Sequence, residues 1–96
     1  MSDVSVRDNR EGSRFEAYVD GQLAGFSAYA LSDGVIAFTH TEVDDAFEGH
    51  GVGSALVRQS LDQVRASGSL RVRPLCPFVR AWIDHHPDYQ DLTRER

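Results

Sequence analysis

The chain has 96 residues, fifteen acidic against ten basic, a net charge of −5 and a single cysteine, Cys76. That length provides one domain with one modest core, and is too short for a barrel of eight βα units or a full dinucleotide-binding fold. The acid excess argues against a nucleic-acid or anionic-membrane binder, no apolar run approaches the ~18 residues that span a bilayer, and a lone thiol cannot close an internal disulfide.

A single cysteine and an N-terminus without a basic-then-apolar export pattern lead to the expectation of a cytoplasmic protein, monomeric or weakly homo-oligomeric. The first half reads as strands. Val4 and Val6 alternate with polar residues, and Phe15, Ala17 and Val19 alternate with Glu16, Tyr18 and Asp20. Asp20-Gly21 suits a tight hairpin turn, because glycine accepts a positive φ cheaply. Ser32-Asp33-Gly34 is a second turn signal. Four antiparallel strands follow, over 4–9, 13–20, 22–31 and 34–43.

The pattern then changes period. Val52, Leu56, Val57, Leu61 and Val64 form one stripe of a helix over 51–66, which Ser67-Gly68-Ser69 ends. Residues 70–75 alternate as a short strand. Pro77 suits the first position of a second helix with Cys76 as its N-cap, and Phe78, Val79, Trp82 and Ile83 form its apolar face. Pro87 stops that helix near Asp84 or His85. The order is ββββαβα. Strands 34–43 and 70–75 flank the first helix, so they pair in parallel through a right-handed crossover. The expected architecture is α+β: a mixed, mainly antiparallel five-stranded sheet with a helix on each face. Met1 to Asp3 and Asp91 to Arg96 are polar and read as fraying or surface segments.

The segment from Thr39 to Leu56 runs from a strand through Gly49, Gly51 and Gly53 into a helix. Glycines allow close backbone approach, and the first amides of a helix are free donors that favour an anion. A pyrophosphate suits such a turn; a purely structural tight turn is the alternative. A Walker loop is excluded because the chain lacks lysine, and the dinucleotide fingerprint would need glycine where Ser54 stands.

On these residues the chain resembles a known family. Glu48-Gly49-His50-Gly51-Val52-Gly53 is similar to the acyl-CoA pyrophosphate loop of the GNAT acetyltransferases. Together with His40-Thr41-Glu42-Val43, the run from Phe47 to Val57 and the segment from Arg73 to Tyr89, it resembles the small single-domain members of that superfamily, from about Phe15 to Leu92. The resemblance implies a reduced GNAT fold and an N-acetyltransferase using acetyl-CoA and an amine acceptor, with no metal. It implies a cofactor site of Val43, Glu48, Gly49, His50, Gly51, Val52, Gly53, Ser54 and Phe78. CoA phosphates would lie on the amides of residues 48 to 54, and the pantetheine arm would run along Val43 between two splayed parallel strands. Glu48 replaces the usual Arg or Gln, and only Asn9 to Gly12 stands where larger members carry extra helices, which implies a more open acceptor site.

Acetyl transfer needs a neutral amine and a proton for the leaving thiolate. Larger members carry an Asn and, seven residues on, a tyrosine acid; here those positions are Cys76 and Ile83. Cys76, at a strand end and helix start, is a candidate acyl carrier or proton donor, or else a small buried hydrophobe. His40 and Glu42 share one face of their strand and are candidate bases, or else a sheet-edge histidine and a solvated acid. Arg58, Arg65 and Arg80 could reach a 3′-phosphate or remain solvated. Trp82 and Phe78 read as core, with Phe78 a possible border of the arm. Tyr89 reads as core or as folding back to the cleft, and His85, His86 and Asp88 as a solvated helix end. Two other classes stay open: a non-catalytic acyl-CoA sensor, and a structural or interaction domain whose glycines serve packing alone.

Overall fold

The computed structural model describes residues 3–94. Strands β1 (Val4–Asn9), β2 (Arg14–Val19), β3 (Gln22–Ser32) and β4 (Val35–Val43) form an antiparallel meander. Helix α1 (Val52–Ser67) then crosses over to β5 (Arg71–Pro74), which lies parallel to β4, and α2 (Pro77–Asp84) follows. The sheet order is β1-β2-β3-β4-β5. The mixed sheet and the element order agree with the sequence reading. Both Asp-Gly turns are two-residue hairpins: Asp20 and Gly21 have φ of 51° and 79°, Asp33 and Gly34 of 50° and 79°. Two successive positive φ values give the turn whose twist matches the strands it joins.

One sheet face carries Phe15, Ala17, Val19, Tyr29, Ile36, Phe38 and Val72, and α1 buries its stripe of Val52, Leu56, Val57, Leu61 and Val64 against it. Each fully buried side chain of this kind contributes about 1.5–3 kcal/mol. The Tyr29 hydroxyl donates to Asp8 at 2.6 Å, which satisfies its polar end at the rim of that core.

The second helix is placed differently from the expectation of one helix per face. Val79, Trp82 and Ile83 join the same core as α1, and the Trp82 indole Nε1 donates to Ser54 Oγ on α1 at 2.9 Å. A helix of eight residues has one apolar stripe, and here α1 and the edge of the sheet share it. The opposite face, with Arg14, Glu16, Tyr18, Phe26, His40 and Glu42, carries no helix among the described residues.

The C-terminal stretch is also more ordered than its polarity suggests. Pro87–Thr93 forms a 3₁₀ turn. Tyr89 and Leu92, three apart, lie on one side of such a turn and are buried. Tyr89 packs edge-on to Trp82 and donates to Asp62 at 2.8 Å, and Arg65 holds Asp91 through two hydrogen bonds. Tyr89 therefore ties the chain end to α1 and does not face the glycine turn. Met1, Ser2, Glu95 and Arg96, part of the expected fraying ends, lie outside the described residues.

Gly25 marks the tightest backbone approach in the sheet: a Cβ there would stand 2.6 Å from the Glu42 carbonyl oxygen and 3.2 Å from Val43 Cα. Gly25→Ala is therefore expected to push β3 from β4 and to cost about 1–3 kcal/mol, read as a lower urea midpoint. An unchanged midpoint would contradict this account of the β3–β4 packing.

Candidate functional site

The site is built where β5 stops. The β4–β5 ladder pairs Val35 with Arg71, Ile36 with Val72, Ala37 with Arg73 and Phe38 with Pro74. Proline has no N–H to continue the ladder. The last bond on this side runs from the Cys76 amide to the Phe38 carbonyl, at 2.8 Å. β4 nevertheless runs on to Val43, held on its other side by β3. The Asp44 amide donates to the Ala24 carbonyl at 2.8 Å, so the alternation of the antiparallel ladder turns the main-chain groups of Thr41 and Val43 toward the side β5 has left. β5 thus ends where its pairing ends, and β4 continues past it.

A bulge decides which side chains face which way. Ala28 pairs with His40 but Tyr29 with Phe38, so Thr39 is an extra residue in β4. Such an insertion shifts the alternation by one. Phe38 and Thr41 therefore both point to the α1 side, while His40 and Glu42 share the open face. His40 Nε2 lies 3.6 Å from Glu42 Oε2, and both side chains are largely exposed. On the α1 side, the Cys76 thiol donates to Thr41 Oγ1 at 3.5 Å, and Thr41 Oγ1 lies 2.9 Å from Ser27 Oγ. Cys76 is the N-cap of α2 and is only 3% exposed. The structure thus separates the candidate set: His40 and Glu42 on one side of β4, Cys76 on the other. Thr41 joins the Cys76 side of the candidate set and was missed, because without the bulge its place in the alternation is hidden.

Beyond Val43 comes a short 3₁₀ turn, Asp45–Phe47, capped by Asp44 Oδ1, which accepts from the Ala46 amide at 2.9 Å. Gly49 (φ 83°) and Gly51 (φ 72°) then take left-handed conformations that bend the chain into α1. The Glu48 amide donates to Asp45 and the His50 amide to Phe47, each at 3.2 Å. Among the described residues, the amides of Gly49, Gly51, Val52, Gly53 and Ser54 have no internal acceptor. The free donors are therefore fewer than the expected run of residues 48 to 54, and they converge at the start of α1, where the helix dipole is positive.

Phe78 is not core: it is 45% exposed, and its ring lies so close to Gly53 that a Cβ there would stand 2.8 Å from Cζ. Trp82 is core and, through Ser54, fixes the first turn of α1 against α2. Val43 ends β4 ahead of the glycine turn, the Phe78 ring lies against Gly53 at the start of α1, and the Val52 side chain is buried in the core. The arginines are elsewhere. Arg58 stacks over Trp82 and Tyr89, Arg65 pairs with Asp91, and Arg80 sits about half a turn from both Phe78 and Trp82, away from α1. His85 and His86 direct Nδ1 to the Ala81 and Trp82 carbonyls at 2.8 and 2.6 Å, and His86 stacks on Trp82.

β4 running past β5 into a strand–glycine turn–helix unit is the arrangement that the resemblance to acetyltransferases implies. The family model described as GCN5-related N-acetyl-transferase matches residues 14–92, and the chain belongs to that family. Among solved structures, it is similar to a GCN5-like protein from Staphylococcus aureus, with a TM-score of 0.69 and 23% identity over 96% of this chain and 89% of that one. Ard1 from Thermoplasma volcanium gives a TM-score of 0.56 and 30% identity over 71% of this chain and 46% of that one. A ribosomal-protein-alanine N-acetyltransferase from Brucella melitensis biovar Abortus gives a TM-score of 0.61 and 16% identity over 99% and 92%. Curated proteins give no match.

The open face carries a buried carboxylate. Glu16 is 4% exposed and accepts from Tyr18 Oη and Arg14 Nε, each at 2.7 Å, and from Asn9 Nδ2 at 3.1 Å. The Arg14 guanidinium also covers the Phe26 ring, which meets His40 edge-on. The Tyr18 hydrogen bond, with smaller contributions from Asn9 and Arg14, holds the Glu16 carboxyl below its ordinary value of 4.5, against the opposing effect of burial. A lowered value in the folded state means stabilisation that is complete above 4.5 and is lost as the pH falls through the lowered value. Thermal unfolding against pH should therefore fall more steeply below that point in the natural chain than in Glu16→Gln. Parallel curves would contradict the role given to this carboxylate.

Proposed function

We propose that the chain binds acetyl-CoA along the unpaired edge of β4 and moves its acetyl group to an amine. One observation carries the reading: the edge that β5 leaves open after Phe38 leads straight into a turn with five free amides. Main-chain donors at a helix start hold a diphosphate without any lysine. The free N–H and C=O groups of Thr41 and Val43 suit an arm that carries amides of its own. Phe78 would border that arm, its ring seated on Gly53, where the missing Cβ lets it approach. Family membership favours the same ligand. Glu42, Asp44, Asp45 and Glu48 surround the turn with negative charge. The affinity must therefore come from backbone geometry rather than from side-chain charge.

The thioester supplies an activated acetyl carbon; the chain's own residues manage access and protons. No helix covers the open face among the described residues, so an amine can approach β4 from the side of His40 and Glu42. His40, next to the bulge and oriented by Glu42, takes the proton from the incoming ammonium. Cys76, on the other side of β4, is closed to solvent and aligned by Thr41. That burial favours proton donation to the departing thiolate over carriage of the acetyl group. A second reading is favoured by Ile83, which is buried at the position where the resemblance puts a tyrosine acid: a sensor that binds acyl-CoA without turnover.

Initial-rate kinetics with a panel of amines test both. Direct transfer predicts intersecting double-reciprocal lines, no acetyl-cysteine by mass spectrometry, and about a hundredfold lower kcat for His40→Ala. Parallel lines with acetylated Cys76 would overturn direct transfer. Saturable acetyl-CoA binding with no product from any amine would leave the sensor.

A further inference from the structure

A second concave site lies on the side of α2 that faces away from the glycine turn. It is a groove of about 520 Å³ into which β5 places Arg73, α2 places Arg80, and the residue after the 3₁₀ turn places Arg94. Elsewhere arginines are engaged. Arg10, Arg14 and Arg65 pair with carboxylates, and Arg7 and Arg58 lie over aromatic rings. Among the described residues, Arg73, Arg80 and Arg94 have no ion pair, side-chain hydrogen bond or ring contact. Asp84, the one acid of the lining, pairs with none of them. In a chain of net charge −5, three guanidinium groups from three separate elements, none in an ion pair among the described residues, gather around one cavity. Like charges held together repel, and a bound anion removes that cost.

We propose that this groove binds a small organic phosphate. A lone carboxylate engages one guanidinium fork, whereas a phosphate carries about two charges and three outward oxygens that can accept from several forks at once. The volume lies within the ~300–1,000 Å³ of small-molecule sites. Leu75, 59% exposed at the rim beside Pro74, offers an apolar contact for the organic part. The site does not depend on the acetyl-CoA reading, because α2 separates it from the glycine turn.

The test is an NMR titration at constant ionic strength that follows the arginine Nε–Hε signals, with inorganic phosphate, citrate and chloride as separate arms. The proposal predicts saturable shifts at Arg73, Arg80 and Arg94 with phosphate, at least tenfold weaker ones with citrate, and none with chloride. The variant Arg73→Gln/Arg80→Gln/Arg94→Gln should weaken phosphate binding at least tenfold, with amide signals that report an intact fold. Should the triple variant unfold, Arg80→Gln alone should weaken it severalfold, since Arg80 projects from an exposed helix face. Equal shifts with chloride, citrate binding as tight as phosphate, or phosphate shifts confined to residues 49–54 would each overturn the proposal.

Discussion

Hydrogen bonding between β4 and β5 ends at Phe38 and Pro74, and the rest of the site follows from that limit. Proline offers no N–H, and the next donor on that side, the Cys76 amide, closes the ladder on the Phe38 carbonyl. From there the chain turns into α2, while β4 continues alone. An interior strand edge with unpaired main-chain groups is costly unless water or a ligand satisfies them. The row of free main-chain groups runs along β4, breaks at the bonded amides of the 3₁₀ turn and resumes at the start of α1. The side chains around it are acidic or neutral, so in the proposed function the binding falls to backbone geometry.

The two helices are arranged to keep that row open. Trp82 ties α2 to the first turn of α1, and Tyr89 and Asp91 tie the chain end to Asp62 and Arg65 further along it. The Trp82 link fixes the first turn of α1, and the other two hold its second half. The cost is an uncovered sheet face. The Glu16 cluster keeps that face ordered by satisfying a buried carboxylate with three donors. In the proposed function, the same uncovered face would give an acceptor its approach to His40 and Glu42.

Much of this was legible in the residues. Alternation and the Asp-Gly pairs placed the hairpins, because a two-residue turn with two positive φ values leaves little choice. The stripe from Val52 to Val64 placed α1, and all five of its apolar positions are buried. The bulge was not legible: nothing in Phe38-Thr39-His40-Thr41 distinguishes it from a regular strand, yet it sends Thr41 to the Cys76 side. Phe78 misled because an aromatic residue on an apolar stripe reads as core; its exposure follows from the close approach of α2 to Gly53. Leu92 was hidden in a polar tail, since a single leucine three residues from a tyrosine is a weak periodic signal. The position of α2 depended on tertiary packing that a stripe of four apolar residues does not encode.

Amide hydrogen exchange in the presence and absence of acetyl-CoA tests the central claim most directly, because it reads the main-chain donors one by one. The account predicts slowed exchange at Thr41 and Val43 on the open edge and at Gly49, Gly51 and Gly53 in the turn, with the Glu48 and His50 amides, already bonded internally, changed little. Protection elsewhere, with those five amides exchanging as they do in the free protein, would contradict it.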